Sequence, residues 1–252
     1  MNEYLRNLNR IEFVVTMACT GRCKHCSEGE HTTKGEHIDG EIAKRLIHDV
    51  CNNYQIQSLM TFGGEPLLYP TDVCKIHAAA KEIGIPQRDL ITNGFFSKNK
   101  GQIKETAYML AEAGVNSIAL SVDAFHQETI PLEPVKYFAE CIKNEEIPIC
   151  VHPAWLISED DNNHYNIETR KILQEFIQMG IRVSSGNIIF PSGNAKKYLS
   201  EYFNDSIEYI NPYKNDPTDI QSISIKPNGD VLGGNIHKNC IMDILNTYSI
   251  SD

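Results

Sequence analysis

Ile11-Glu12-Phe13-Val14-Val15-Thr16-Met17-Ala18-Cys19-Thr20-Gly21-Arg22-Cys23-Lys24-His25-Cys26 opens on a short apolar run and passes at once into three closely spaced cysteines. The run Ile11–Thr16 has the length and β-branched composition of a buried strand. After the cysteines, Ile38, Ile42, Leu46 and Val50 recur at every fourth residue, as a core-facing helix stripe requires. Strand, cysteine loop and helix make one βα unit, with the thiols at the C-terminal end of the strand.

The same punctuation repeats downstream. Further strands are predicted over Ser58–Phe62, Asp89–Thr92, Ser117–Ser121, Ile147–His152 and Val183–Phe190. Helices are predicted near 39–53, 71–83, 102–113, 133–145 and 166–179, and Gly84, Gly114 and Gly180 stand where a helix C-cap favours glycine. Strand–helix alternation with short links implies right-handed crossovers and a parallel sheet. Six such units predict an α/β fold, a partial (βα)6 TIM-like barrel.

A second region is expected after Pro191. Residues 195–203 read as helix and Asn211–Asp219 as loop. Ile220–Ile225 is expected to turn at Pro227-Asn228-Gly229-Asp230 and pair with Val231–Leu232, and residues 240–248 to close with a short helix. The expected division is a barrel core over 1–193 and a small β-hairpin/helix extension over 194–252.

Composition narrows the function classes. The chain has 252 residues, 41% of them apolar and 22% charged, enough for a full core. Its 23 basic and 33 acidic residues give a net charge of −10, which argues against a nucleic-acid partner needing a clustered basic surface. The polar N-terminus MNEYLRNLNR is no secretory signal, and no apolar run approaches the roughly 20 residues of a membrane span, so a cytoplasmic location and no membrane partner are expected. In such a compartment cysteines are read as metal-binding or catalytic. Of eight, only Cys19, Cys23 and Cys26 cluster; Cys51, Cys74, Cys141, Cys150 and Cys240 are scattered.

Three soft thiolates at this spacing can wrap one face of an iron–sulfur cube and leave one iron open. A zinc site would instead draw a fourth ligand from His25, His31 or His37, so the loop alone leaves both metals in play. At the end of the second strand stands Phe62-Gly63-Gly64-Glu65-Pro66, where a glycine pair admits close backbone approach and a glutamate offers an acceptor to an ammonium. Taken by itself it reads equally as a tight turn with a capping acid. Thr92-Asn93-Gly94, Ser121-Val122-Asp123, His152-Pro153 and Phe190-Pro191-Ser192-Gly193 occupy later strand ends. Each also has a plain structural reading as turn, cap or packed side chain.

The C-x3-C-x2-C loop, with Gly63–Pro66 one βα unit later, resembles the radical S-adenosylmethionine (SAM) superfamily over about residues 11–193. The resemblance implies an enzyme with a [4Fe–4S] cluster on Cys19, Cys23 and Cys26 and SAM on its open iron. It places Gly63, Gly64, Glu65 and Pro66 at the SAM amino group, and Thr92, Asn93, Ser121 and Asp123 at its ribose or carboxylate. His25 takes the place of the family's usual aromatic residue against adenine; Phe190 would flank the same ring, and His152 is a further candidate contact to SAM or substrate. Reductive cleavage of SAM would give a 5′-deoxyadenosyl radical that takes hydrogen from a small metabolite or a peptide side chain. A flavodoxin- or ferredoxin-type electron donor and an oxygen-sensitive site follow. His126 and Glu128 are the candidate catalytic contacts to substrate, with solvated helix-start residues as the plainer reading. Cys141, Cys150 and Cys240 are candidate hydrogen-atom donors, or simply small hydrophobes.

The tail is similar to the family's SPASM or twitch extensions but lacks their auxiliary-cluster cysteines. Gly233 and Gly234 stand after the turn, and Cys240 is the tail's single cysteine, so one cluster is expected. With ten residues ahead of the first strand, no fused peptide-recognition domain is expected, which favours a small metabolite. The alternatives are a peptide maturase acting with a separate recognition partner, or a non-catalytic iron–sulfur or zinc protein.

Overall fold

The structure, a computed structural model, describes residues 2–250 apart from positions 205, 207, 208, 210, 212 and 214. The first strand, β1 (Arg10–Thr16), buries Ile11, Phe13 and Val15 completely, the alternation that a pleated strand imposes. It is followed by α1 (Gly40–Cys51), β2 (Ser58–Gly63), α2 (Pro70–Ile83), β3 (Gln87–Thr92), α3 (Lys100–Ala113), β4 (Ser117–Ser121), α4 (Ala124–Gln127), α5 (Leu132–Asn144) and β5 (Ile149–His152). Then come β6 (Ala154–Trp155), α6 (His164–Gln178), β7 (Arg182–Val183), β8 (Asn187–Ile188) and α7 (Gly193–Tyr198). The tail holds β9 (Ser222–Ile225), β10 (Asp230–Val231), β11 (Gly234–Asn235) and α8 (Ile241–Thr247).

Seven strands form one parallel sheet in the order β7-β5-β4-β3-β2-β1-β9, and α1, α2, α3 and α5 pack side by side in chain order. This is the expected α/β partial barrel, and Gly84 and Gly114 close α2 and α3 as the sequence predicts. The buried stripe of α1 is Ala43, Leu46, Ile47 and Val50, while Ile42 is half-buried. Four residues advance an α-helix by 400°, so a strict fourth-residue series drifts off the core face, and the mixed three-and-four series follows it.

Two expected elements come out differently. The strand expected over Val183–Phe190 is broken in two: β7 pairs with β5, whereas β8 pairs with β6 in a separate two-stranded sheet. Pro153 has no N–H to donate and ends β5, and opposite it Gly186 packs so close that a Cβ there would lie 2.2 Å from the Pro153 carbonyl. The tail strand does not pair with Val231–Leu232; β9 instead extends the main sheet on the open edge of β1, in register from Arg10↔Ser222 to Phe13↔Ile225. The hairpin is β10–β11, turned on Leu232 (φ 44°) and Gly233 (φ 77°), the two positive φ values of a type I′ turn. The extension's helix forms as α8 and packs against α1.

A second apolar cluster sits apart from the main core. Ala124, Phe125, Ala154, Leu156, Tyr165, Ile189, Ala195 and Leu199 join α4, β6, α6, β8 and α7 into one wall beyond the strand ends.

Candidate functional site

The cysteines lie in the long loop between β1 and α1. Cys19 N–H donates to Thr32 O at 2.9 Å and Ile38 N–H to Val15 O at 2.8 Å, so the loop leaves the strand and returns to it as a closed ring. Cys19 and Cys23 are buried and Cys26 half-buried. Asn93 Nδ2 approaches Cys19 Sγ at 3.6 Å, and Gly21 N–H points to the same sulfur at 3.4 Å. His31 bridges Cys26 Sγ (3.1 Å from Nε2) and Met17 O (2.7 Å from Nδ1). A carbonyl only accepts, so Nδ1 carries a hydrogen toward Met17 O.

Burial pushes Cys19 up to about 11, with the Glu65 charge adding to it. Burial likewise drives Cys23 well above its ordinary value, reinforced by Asp123 and the other two thiolates, and raises Cys26. The free thiols are therefore protonated at neutral pH, and metal binding must displace their protons. Among the described residues the three cysteines do not converge on single-ion spacing; the trio whose ligand atoms all lie within 4.8 Å is Cys23, His25 and His126. A cube of four irons holds its thiolates farther apart than one zinc ion does, so the donor set of the loop fits the cluster.

Gly63 and Gly64 pack on the cysteine loop. Gly64 N–H donates to Thr16 O and Glu65 N–H to Ala18 O, both at 2.8 Å, and a Cβ on Gly64 would lie 2.2 Å from Ala18 O. Pro66 starts a single helical turn that Glu65 caps by accepting from Leu67 N–H at 2.9 Å. The wholly buried Glu65 carboxylate also accepts from Thr92 Oγ1 at 2.7 Å and Asn93 N–H at 2.8 Å. Burial raises it to about 7 despite those three donors.

At the end of β4 Ser121 is half-buried, and its hydroxyl makes no hydrogen bond among the described residues. Asp123 caps α4 by accepting from His126 N–H at 3.0 Å, and its second oxygen takes His126 Nδ1 at 2.9 Å and Ala154 N–H at 3.0 Å. Burial opposes its charge, yet the His126 and His25 imidazoles and these hydrogen bonds hold the carboxyl well below the usual carboxylate range. His25 lies 5.0 Å from the Phe125 ring and 4.7 Å from that of His126; burial lowers it to about 4, and its Nδ1 has no partner.

Of the two candidate substrate contacts, His126 is turned onto this cluster, and Glu128 is held at the rim by Lys24 at 2.9 Å. His152 Nδ1 lies 2.8 Å from Ser184 Oγ, and burial lowers its pKa. Phe190 is half-buried beside Tyr213. Cys141 is buried on α5, Cys150 lies half-buried in β5 and Cys240 is exposed ahead of α8.

Sequence reasoning passed over several loop partners. Asn194 N–H donates to Cys26 O at 2.8 Å and its side-chain amide to Cys23 O at 3.0 Å, while Ser192 Oγ reaches Ser27 O at 3.1 Å. Gly193 sits so close that a Cβ there would lie 2.4 Å from Ser27 O. The Ser192-Gly193-Asn194 run was the available signal, a polar turn ahead of a helix. Thr129 and Tyr165, which meet Arg22 N–H at 3.0 Å and Lys24 Nζ at 3.3 Å, left no local pattern.

Comparison with known proteins converges on one family. The radical SAM superfamily model matches residues 13–205. A probable GTP 3′,8-cyclase of Saccharolobus islandicus is 27% identical over 235 residues, which are 90% of this chain and 69% of that protein. The GTP 3′,8-cyclase of Chlorobaculum tepidum is 27% identical over 127 residues, 50% of this chain and 36% of that one. Among solved structures, Streptococcus suis SuiB bound to precursor peptide SuiA superposes with a TM-score of 0.60 at 15% identity, over 96% of this chain and 65% of SuiB. Native anSMEcpe with bound AdoMet gives 0.60 at 14% identity, over 95% of this chain and 80% of that one. The fold is shared throughout, the matched residues include the cysteine loop and every strand-end motif, and the chain belongs to the radical SAM superfamily, whose enzymes use a [4Fe–4S] cluster and SAM.

Proposed function

We propose that this enzyme takes hydrogen from a small polar metabolite bound over the C-terminal ends of its strands. When bound, the cluster and SAM supply a one-electron reductive cleavage that yields a 5′-deoxyadenosyl radical. Cys19, Cys23 and Cys26 would hold the cluster. Gly63, Gly64, Glu65 and Pro66 would meet the amino end of SAM, Thr92, Asn93, Ser121 and Asp123 its ribose or carboxylate, and His25 and Phe190 its adenine, with His152 a further SAM or substrate contact. The observation that carries the assignment is one run of hydrogen bonds: Ala18 to Glu65, Glu65 to Asn93, and Asn93 to Cys19 Sγ. It ties the thiol loop and two strand-end motifs into a single unit, so a change at one is felt at the others.

Within that unit the protein's own work is positional. Glu65 keeps a buried acceptor where an ammonium would be neutralised, and Asn93 donates toward a thiolate sulfur. The wall of Phe125, Leu156 and Leu199 excludes water from one side of the mouth. Lys24, Glu128 and Tyr165 form its polar rim and are the proposed substrate contacts. A flavodoxin- or ferredoxin-type protein is the proposed electron donor.

The metabolite reading is supported by the Saccharolobus islandicus relative named a probable GTP 3′,8-cyclase, which aligns over 90% of this chain. Deuterated GTP is therefore the first probe. Anaerobic assay with dithionite and SAM is expected to transfer deuterium into 5′-deoxyadenosine from GTP or a similar small metabolite. Deuterium transfer from peptides alone would replace this reading with the peptide-modifying one.

A further inference from the structure

Around Cys23, itself assigned to the cluster, gather two imidazoles that the cluster does not use. One ligand atom each of Cys23, His25 and His126 lie within 4.8 Å of one another. His126 offers a defined nitrogen, because Asp123 occupies Nδ1 at 2.9 Å and leaves Nε2 as the donor atom. A carboxylate behind an imidazole is the arrangement that orients histidine ligands. His25 brings a ring whose Nδ1 is sealed from solvent without a hydrogen-bond partner. The two rings meet edge to face, their planes 68° apart. Cys19 and Cys26 are engaged elsewhere, by Asn93 with Gly21 and by His31.

Zinc bonds of about 2.0–2.3 Å place tetrahedral ligand atoms about 3.3–3.8 Å apart, so small ring rotations close this trio on an ion. We infer that Cys23, His25 and His126 form a mononuclear site for a thiophilic divalent cation of the zinc type, with Asp123 orienting His126 and water as the fourth ligand. Binding breaks the Cys23 S–H bond, forms a metal–sulfur bond and gives the proton to solvent; no electron moves. One consequence rests on the assignment of Cys23 to the cluster: the two occupants share a thiolate and exclude each other. A cation here would hold the cysteine loop in place before the cluster is built and would oppose its assembly.

The test is cobalt titration of the full chain, freed of iron and kept anaerobic. One Co2+ per chain is expected, with tetrahedral d–d bands and a thiolate-to-cobalt charge-transfer band, all displaced by Zn2+. The double variant Cys19→Ser/Cys26→Ser removes two cluster ligands and is expected to keep that spectrum, whereas Cys23→Ser loses it. His25→Gln and His126→Gln are each expected to weaken cobalt binding by at least about tenfold, and Asp123→Asn by about 10- to 100-fold. X-ray absorption of zinc bound to the unsubstituted chain should show one sulfur and two imidazole nitrogens, a readout that does not depend on any variant folding. A shell of three sulfurs, loss of the spectrum in the double variant, or undiminished binding in folded His126→Gln would overturn the site. Failure of the chain to assemble an iron–sulfur cluster, with cobalt binding intact, would remove the cluster assignment and leave this site standing.

Discussion

Gly64 and Glu65 show how tightly single residues are bound to the thiol loop. A methyl group on Gly64 would meet the Ala18 carbonyl at 2.2 Å, against backbone that cannot rotate away. Gly64→Ala is expected to lower stability by about 3 kcal/mol, measured by denaturant unfolding. Glu65 carries a pH signature of opposite sense to a surface acid. Its carboxyl rises from 4.5 in the unfolded chain to about 7 through burial, so the folded state holds its proton longer. Its contribution to stability is full below pH 4.5 and is lost as pH rises through 7, about 3 kcal/mol in all. Thermal melts at pH 5 and 8 are expected to show that loss in the unsubstituted chain and not in Glu65→Gln.

Elements were the most legible level of this molecule, and their interruptions the least. Apolar periodicity located five strands and five helices because each buries one face or stripe against the same core. The break between β7 and β8 was hidden, since Ser184-Ser185-Gly186 matters only through Pro153, which lies 33 residues before Gly186 and faces it only in the fold. The cysteine loop and Gly63–Pro66 were readable as local patterns, whereas Asn194, Thr129 and Tyr165 reach the loop from distant segments. The α2–β2 contact was equally hidden. His77 on α2 is wholly buried with Nε2 2.9 Å from Thr61 Oγ1, and burial, with the Arg88 charge, lowers it to about 3. The unfolded chain takes up this proton first as pH falls below 6.5, so stability drops by about 1.4 kcal/mol per pH unit from there toward pH 3. His77→Gln is expected to flatten that acid limb in unfolding measurements between pH 4 and 7.

At the scale of the whole molecule, the tail is part of the sheet. β9 lies parallel to β1, and Ile223 and Ile225 are wholly buried beside the strand that carries the cysteine loop. Ile223→Ala is expected to cost about 2–5 kcal/mol, read by denaturant unfolding, and to loosen the loop by uncovering β1. No helix among the described residues is long and apolar enough to cross a membrane. Cys19, Cys23 and Cys26 are proposed to hold a cluster at one end of this sheet, where SAM is cleaved. Anaerobic reconstitution tests it most directly, with iron, sulfide and 5′-deoxyadenosine measured on the unsubstituted chain and on Cys19→Ala/Cys23→Ala/Cys26→Ala. About four irons per chain and dithionite-dependent 5′-deoxyadenosine are expected from the first, and neither from the second. Zinc in place of iron with no SAM cleavage, or equal iron binding by the triple variant, would contradict it.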